Sequence, residues 1–205
     1  MSESDFSLPK GCFIRPADLE DKSDLQKLLW EFITTEALSF YIQKFSYVPI
    51  VLGLALVASG IAWMLNADAK IVLSLVIFIL LIVAYLIWLV FVNPGLNWQN
   101  YWVIECHFNL VACGTVENRH TYSNLNYLYV KPAWRERGVD SYLVRHLIEQ
   151  ATPPTYLLCQ SKRAEFYANL GFVPVVWQEL PPKVAKNFSI FRNSPSVILM
   201  QYMTN

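Results

Sequence analysis

The hydrophobic and polar positions of this chain follow three different rhythms, and the most conspicuous is an absence of rhythm. From Tyr47 to Leu65 nineteen consecutive positions carry no charge, and from Ile71 to Val92 twenty-two do the same. At a rise of about 1.5 Å per residue these runs reach about 28 and 33 Å as helices, matching a hydrocarbon layer of about 30 Å. Neither run has a polar stripe, so neither reads as the half-buried helix of a soluble core. Residues 66–70, Asn-Ala-Asp-Ala-Lys, allow only a tight turn, so the two helices return antiparallel and leave both flanks on one side. The pattern predicts a two-helix transmembrane hairpin over residues 47–92. Tyr47, Trp63, Trp98 and Tyr101 lie near its ends, where amphipathic rings favour the membrane interface.

Outside this segment ordinary patterning returns. The N-terminal arm, residues 1–46, opens on Cys12-Phe13-Ile14-Arg15-Pro16, a short strand ended by proline. A helix follows with apolar residues at Leu25, Leu28, Leu29, Phe32 and Ile33, one face of a 3.6-residue repeat. One strand and one helix do not fold alone, so the arm is expected to pair with the body, residues 93–205, across the hairpin. The body predicts strands at Trp102–Cys106, Leu110–Val116 and Leu125–Val130, then a helix over 141–150. A strand at Tyr156–Cys159, a helix over 161–170 stopped by Gly171, and strands at Phe172–Trp177 and Val197–Gln201 complete the order.

Composition sharpens this. Across 205 residues 55 % are hydrophobic and only 16 % charged, too apolar for an ordinary soluble domain, and the excess sits in the two runs. Sixteen basic and sixteen acidic residues give net charge zero, which excludes a nucleic-acid binder held by bulk charge. The charged opening, with Asp18, Glu20, Asp21, Lys22 and Asp24, does not read as a secretory signal. Cys12, Cys106, Cys113 and Cys159 have no metal-ligand spacing, fall on predicted strands and read as buried reduced thiols of a cytosolic fold, with a Cys106–Cys113 disulfide across the predicted strand hairpin as the alternative. The three histidines form no triad or metal cluster, so no metal is expected.

Candidate chemistry concentrates in Tyr127–Leu147, YLYVKPAWRERGVDSYLVRHL. A strand ending in Val-x-Pro, a basic turn and an apolar-periodic helix form a phosphate cradle, in which free amides at the helix start face an anion and arginines supply charge. Arg135-Glu136-Arg137-Gly138-Val139-Asp140 resembles the Arg/Gln-x-x-Gly-x-Gly/Ala acetyl-CoA signature of the GNAT acetyltransferase superfamily. Glu165-Phe166-Tyr167 before Leu170-Gly171-Phe172 resembles that family's second marker, and Phe13-Ile14-Arg15-Pro16-Ala17 its first strand. The expected fold is therefore α+β, a GNAT-like mixed and mainly antiparallel sheet flanked by helices and interrupted by the hairpin. The hairpin's position resembles that in the membrane N-acetyltransferases related to N-acetylaspartate synthase and cysteine-conjugate acetyltransferase.

The resemblance implies direct attack of an amine on the thioester of acetyl-CoA. It places backbone amides around Leu128 and Val130 against the acetyl and pantetheine groups, Arg135 to Asp140 on the pyrophosphate, and Tyr167 as proton donor to the leaving thiolate. Two positions depart from the pattern. Asp140 stands where Gly or Ala is usual, reading either as a carboxylate beside the phosphates or as the N-cap of the next helix. Asn124 stands where many members hold a glutamate base; Glu105, Glu117, His107 and His120 are the possible substitutes, each also readable as a solvated edge residue. Two functions follow: a membrane-anchored N-acetyltransferase with its domain and both termini on the cytoplasmic side, or a catalytically degraded adaptor docking through the hairpin on an integral-membrane protein complex.

Overall fold

The computed structural model describes residues 7–37, 98–135, 137–192, 194 and 196–203, and between 38 and 97 only residues 53, 57, 60, 73, 76–80 and 82–85. The chain divides into two compact units, residues 1–32 with 97–205, and residues 33–96.

The first unit is built on one seven-stranded sheet ordered β1-β2-β3-β4-β5-β7-β6. Its strands are β1 (Cys12–Pro16), β2 (Tyr101–Cys106), β3 (Asn109–Arg119), β4 (Tyr122–Val130), β5 (Thr155–Gln160), β6 (Phe172–Pro174) and β7 (Val197–Tyr202). Every pairing is antiparallel except β4 with β5, the two strands joined by a helical crossover. The helices are α1 (Lys22–Phe32), α2 (Val139–Glu149), α3 (Ala164–Asn169) and α4 (Pro182–Phe188).

Helix α1 turns Leu25, Leu28 and Leu29 onto a cluster with Val103, Cys113 and Tyr129. Helices α2 and α3 bury Leu143, Leu147 and Tyr167 in another cluster with Ile104, Leu125, Val130 and Phe172. A third cluster joins Val184 and Phe188 of α4 to Tyr122, Tyr156 and Leu199. Gly114 of β3 is required by the close approach of α2, since a Cβ there would lie 2.8 Å from Leu147 Cδ1 and 2.9 Å from Leu128 Cδ2.

The arm is held to the body by polar as well as apolar contacts. Arg15 of β1 donates to both carboxylate oxygens of Asp21, at 2.8 Å for Nη2 to Oδ1, and reaches Glu105 of β2 at 2.7 Å. The Arg15 hydrogen bonds hold the Asp21 carboxyl below the usual range, against the opposing effect of burial. Cys12 and Cys106 face each other across β1 and β2 and are joined as a disulfide. This corrects the expectation of four reduced thiols: register brings together two cysteines 94 positions apart, a proximity no local spacing encodes. Cys113 and Cys159 are free and buried.

Several predicted boundaries shift. Helix α2 begins at Val139, because Gly138 adopts φ 78° and caps it; Asp140 therefore lies inside the first turn and is not the N-cap. The segment 161–170 splits into a 3-10 turn, Ser161–Arg163, and α3. Strand β6 stops at Pro174 instead of continuing to Trp177. The connection beyond it contains α4, whose start at Pro181-Pro182 is a helix-opening signal that the strand reading passed over.

The hairpin expected over 47–92 falls mostly outside the described residues. Among the described residues, no helix is long and apolar enough to cross a membrane. Those described between 53 and 85 are helical, and Val57, Leu73, Ile77, Phe78, Leu80 and Tyr85 are exposed.

Candidate active site

The site starts from a fault in the sheet. Strands β4 and β5 pair only from Ser123↔Thr155 to Leu125↔Leu157, whereas β5 continues along β7 to Gln160. Past Leu125, β4 instead carries a bulge: its register against β3 slips between Thr115↔Asn126 and Cys113↔Tyr129. Tyr127 takes up the extra residue at φ 55°, a left-handed conformation costly for a bulky side chain. Surrounding rings hold it there, Tyr101 at 5.8 Å and Phe32 at 6.4 Å between centroids.

Beyond the bulge the backbone edges are assigned by hydrogen bonds. Lys131 N donates to Val111 O of β3 at 2.9 Å. Alternation along the strand therefore directs the peptide groups of Leu128 and Val130 away from β3, toward the gap where β5 has diverged. In that gap Arg135 Nε donates to Val130 O at 3.0 Å while its guanidinium lies 5.7 Å from the Tyr129 ring centroid. Arg135 thus lines the open edge of β4 rather than projecting freely as an anion ligand.

The loop to α2 forms the cradle. Arg137 is exposed, with its guanidinium 5.2 Å from the Trp134 ring centroid. Gly138 turns the chain, and the first amides of α2 have no intrahelical acceptor. Val139 is buried and anchors the turn. Glu136 lies outside the described residues. Asp140 Oδ1 accepts from Ser141 N at 3.0 Å, and Oδ2 lies 3.9 Å from Arg163 Nη2. An internal carboxylate therefore occupies part of the helix start.

Arg163 is a candidate site residue that the motif reading missed. It opens α3, reaches Asp140, and sits 5.4 Å from the Phe166 ring centroid and 6.0 Å from that of Tyr167. The signal was the Lys162-Arg163 pair just before the aromatic marker. Tyr167 is buried at 5 % exposure, edge-on to Phe166 at 5.0 Å and Phe172 at 6.0 Å. Nearby, burial pushes the Cys159 thiol up to about 11 in spite of Arg163, and it raises Cys113 to about 12, so neither supplies a thiolate at neutral pH.

The structure does not gather the candidate bases. Asn124 is 1 % exposed on β4, and its Oδ1 has no hydrogen-bond partner. Glu105 is held by Arg15, and Glu117 by Arg119 at 2.8 Å. His107 sits in the β2–β3 turn and His120 in the β3–β4 turn, both exposed. Among the described residues no three His, Cys, Asp or Glu side chains converge on a point where a metal could bind.

Residues 97–174 match the family described as acetyltransferase (GNAT) domain. No curated protein matches the sequence. The fold is similar to N-acetylglutamate synthase from Neisseria gonorrhoeae, solved with coenzyme A and N-acetylglutamate (TM-score 0.58, 13 % identity, covering 97 % of this chain and 36 % of that one). It is also similar to a GNAT-family acetyltransferase from Staphylococcus aureus Mu50 (TM-score 0.54, 15 % identity, covering 95 % of this chain and 99 % of that one). The chain thus spans about a third of the synthase's length. The matched segment, well under half of the chain, is similar to a GNAT acetyltransferase domain, and what the chain shares with the two solved structures is the fold, a mixed, mostly antiparallel sheet flanked by helices.

Proposed function

We propose that the protein is an acetyl-CoA-dependent N-acyltransferase anchored in a membrane by its 47–92 segment. The observation that carries the chemical part is the divergence of β4 from β5 past Leu125 and Leu157, bulged at Tyr127 and followed by the Gly138 turn. Its residues fit the co-substrate. A long, narrow pantetheine arm finds the peptide edge of Leu128 and the N–H of Val130, whose carbonyl is taken by Arg135, and a pyrophosphate finds the amides after Gly138 with Arg137 and Arg163 beside them. Acetyl-CoA supplies a thioester carbonyl for an amine to attack. Tyr167, buried in the cluster that includes Val130 of β4 and Leu157 of β5, holds the proton that its hydroxyl delivers to the departing sulfur. Asn124 takes no proton at neutral pH, so the amine's proton passes to water and the rate rises with pH as the amine deprotonates.

The charge-free runs support the anchor, together with the exposed apolar side chains of the helical residues between 57 and 85. We place the domain on the cytoplasmic side, where acetyl-CoA is supplied. The test is release of free CoA from acetyl-CoA on incubating the solubilised full chain with a panel of primary amines. Amine-dependent release that Tyr167→Phe slows at least tenfold, with acetyl-CoA affinity unchanged, supports the reading. Release unaffected by that substitution removes Tyr167 from its role, and binding of acetyl-CoA without any release supports the adaptor function instead.

A further inference from the structure

A second polar site lies at the other end of β4. An open groove of about 1120 Å³ runs between the β3–β4 turn and α4. Four cationic or protonatable side chains line it from two elements: Arg119 and His120 from the turn, Lys183 and Lys186 from α4. The lysines are three positions apart and so share one helix face. The acidic side chain on the wall, Glu117, is bonded to Arg119. Among the described residues, Lys183, Lys186 and His120 have no ion-pair partner. In a chain of net charge zero the groove is therefore a local positive excess.

Its polar wall is held in place rather than merely present. Asn118 Oδ1 accepts from Ser123 Oγ at 2.6 Å and from Thr152 N at 3.1 Å, while its amide donates to Gln150 O at 2.9 Å. The fully buried Ser123 Oγ also accepts from Thr152 N at 2.8 Å and lies 2.8 Å from Thr152 O, so its single proton is shared between that carbonyl and Asn118 Oδ1. This network fixes the β3–β4 turn against the segment leading into β5, and Thr121 and Thr152 are among the residues that line the groove. Arg119 is steadied over the Tyr122 ring at 5.8 Å.

We propose that this groove binds a small multivalent anion bearing phosphate or carboxylate groups, at a site separate from the acetyl-CoA cradle. Tyr122, at the groove, and Val130, at the cradle, are the opposite ends of β4, about 25 Å apart at the rise of a strand. One CoA pyrophosphate does not serve both. Cations line the groove from two elements, around a volume just above the usual small-molecule range, which calls for a ligand with more than one charged group. Lysine point charges with no ion-pair partner of their own suit the tetrahedral or carboxylate oxygens of such a ligand.

The test is calorimetric titration of the solubilised full chain with inorganic pyrophosphate, and separately with citrate, at low ionic strength and with CoA present in excess to fill the cradle. The expected result is one site for at least one probe, weakened by salt and weakened about tenfold or more in the Lys183→Glu/Lys186→Glu variant. Lys10→Glu, an exposed lysine outside the groove, leaves it unchanged. The two probes distinguish phosphate from carboxylate recognition. If the double charge reversal impairs folding by near-ultraviolet circular dichroism, Lys183→Ala/Lys186→Ala replaces it. Absence of binding by both probes, or binding that survives both lysine substitutions, overturns the proposal. Pyrophosphate held at the cradle because CoA failed to bind there survives the lysine variants, so that failure is separately recognisable.

Discussion

Asp140 gives the sharpest handle on the candidate site. Its carboxylate accepts from Ser141 N in the first turn of α2, where a bound pyrophosphate would look for the same amides. A phosphate charge about 5 Å from this carboxylate is repelled by about 3 kcal/mol at an effective dielectric of about 20. Arg163, 3.9 Å away, and solvent at the open cradle reduce this to about 1–2 kcal/mol, a factor of about 5–30 in affinity. Asp140→Asn keeps the shape and removes the charge, so acetyl-CoA affinity rises by that factor in calorimetry. Acetyl-pantetheine, which lacks the pyrophosphate, serves as the control and binds equally to both proteins. The variant is also less stable without ligand by about 0.3–1 kcal/mol, because a first-turn carboxylate favours the helix dipole. Tighter binding with lower stability separates the electrostatic account from general loosening. Unchanged acetyl-CoA affinity, or the same gain for acetyl-pantetheine, refutes the placement of the pyrophosphate beside Asp140.

Other consequences are measurable. Gly114→Ala pushes a methyl into Leu147 and Leu128, and denaturant melts of the variant show a loss of about 1–3 kcal/mol. Burial lowers the His146 pKa below its ordinary value, against Glu149, with its Nε2 unbonded and its ring 4.3 Å from that of Trp102. The unfolded chain therefore binds the proton more readily, so stability is full above about pH 6.5 and declines as pH falls toward the lowered value. His146→Gln flattens that part of a stability–pH curve, and an unaltered slope excludes His146 as its source. The disulfide closes a loop of 94 positions, so reduction or Cys12→Ser/Cys106→Ser costs up to about 4–5 kcal/mol by loop entropy, read in melts with and without reductant. Alkylation of intact cells without added reductant reports whether the pair is bonded in place: labelled thiols agree with the cytoplasmic side, and unlabelled ones with an oxidising compartment.

The elements legible in the sequence were those written in local pattern. The stripe Leu25, Leu28, Leu29 became the buried face of α1, and the turn from Lys131 to Gly138 stands between β4 and α2. What escaped depends on contacts distant in sequence. A tyrosine is a poor candidate for φ 55°, so the bulge at Tyr127 is visible only once Tyr101 and Phe32 surround it. The Cys12–Cys106 pairing waits on the β1–β2 register. Asp140 looked like a cap because aspartate usually is one, but Gly138, with no side chain to clash at φ 78°, took that position two residues earlier. Arg163 joined the cradle only when the chain brought the start of α3 beside that of α2.

The central claim, that the gap between β4 and β5 holds acetyl-CoA, is tested most directly by titrating the solubilised full chain with acetyl-CoA in a calorimeter. The account predicts one site per chain, competed by CoA and weakened by charge reversal at Arg137. No heat and no thermal stabilisation at millimolar acetyl-CoA would contradict it.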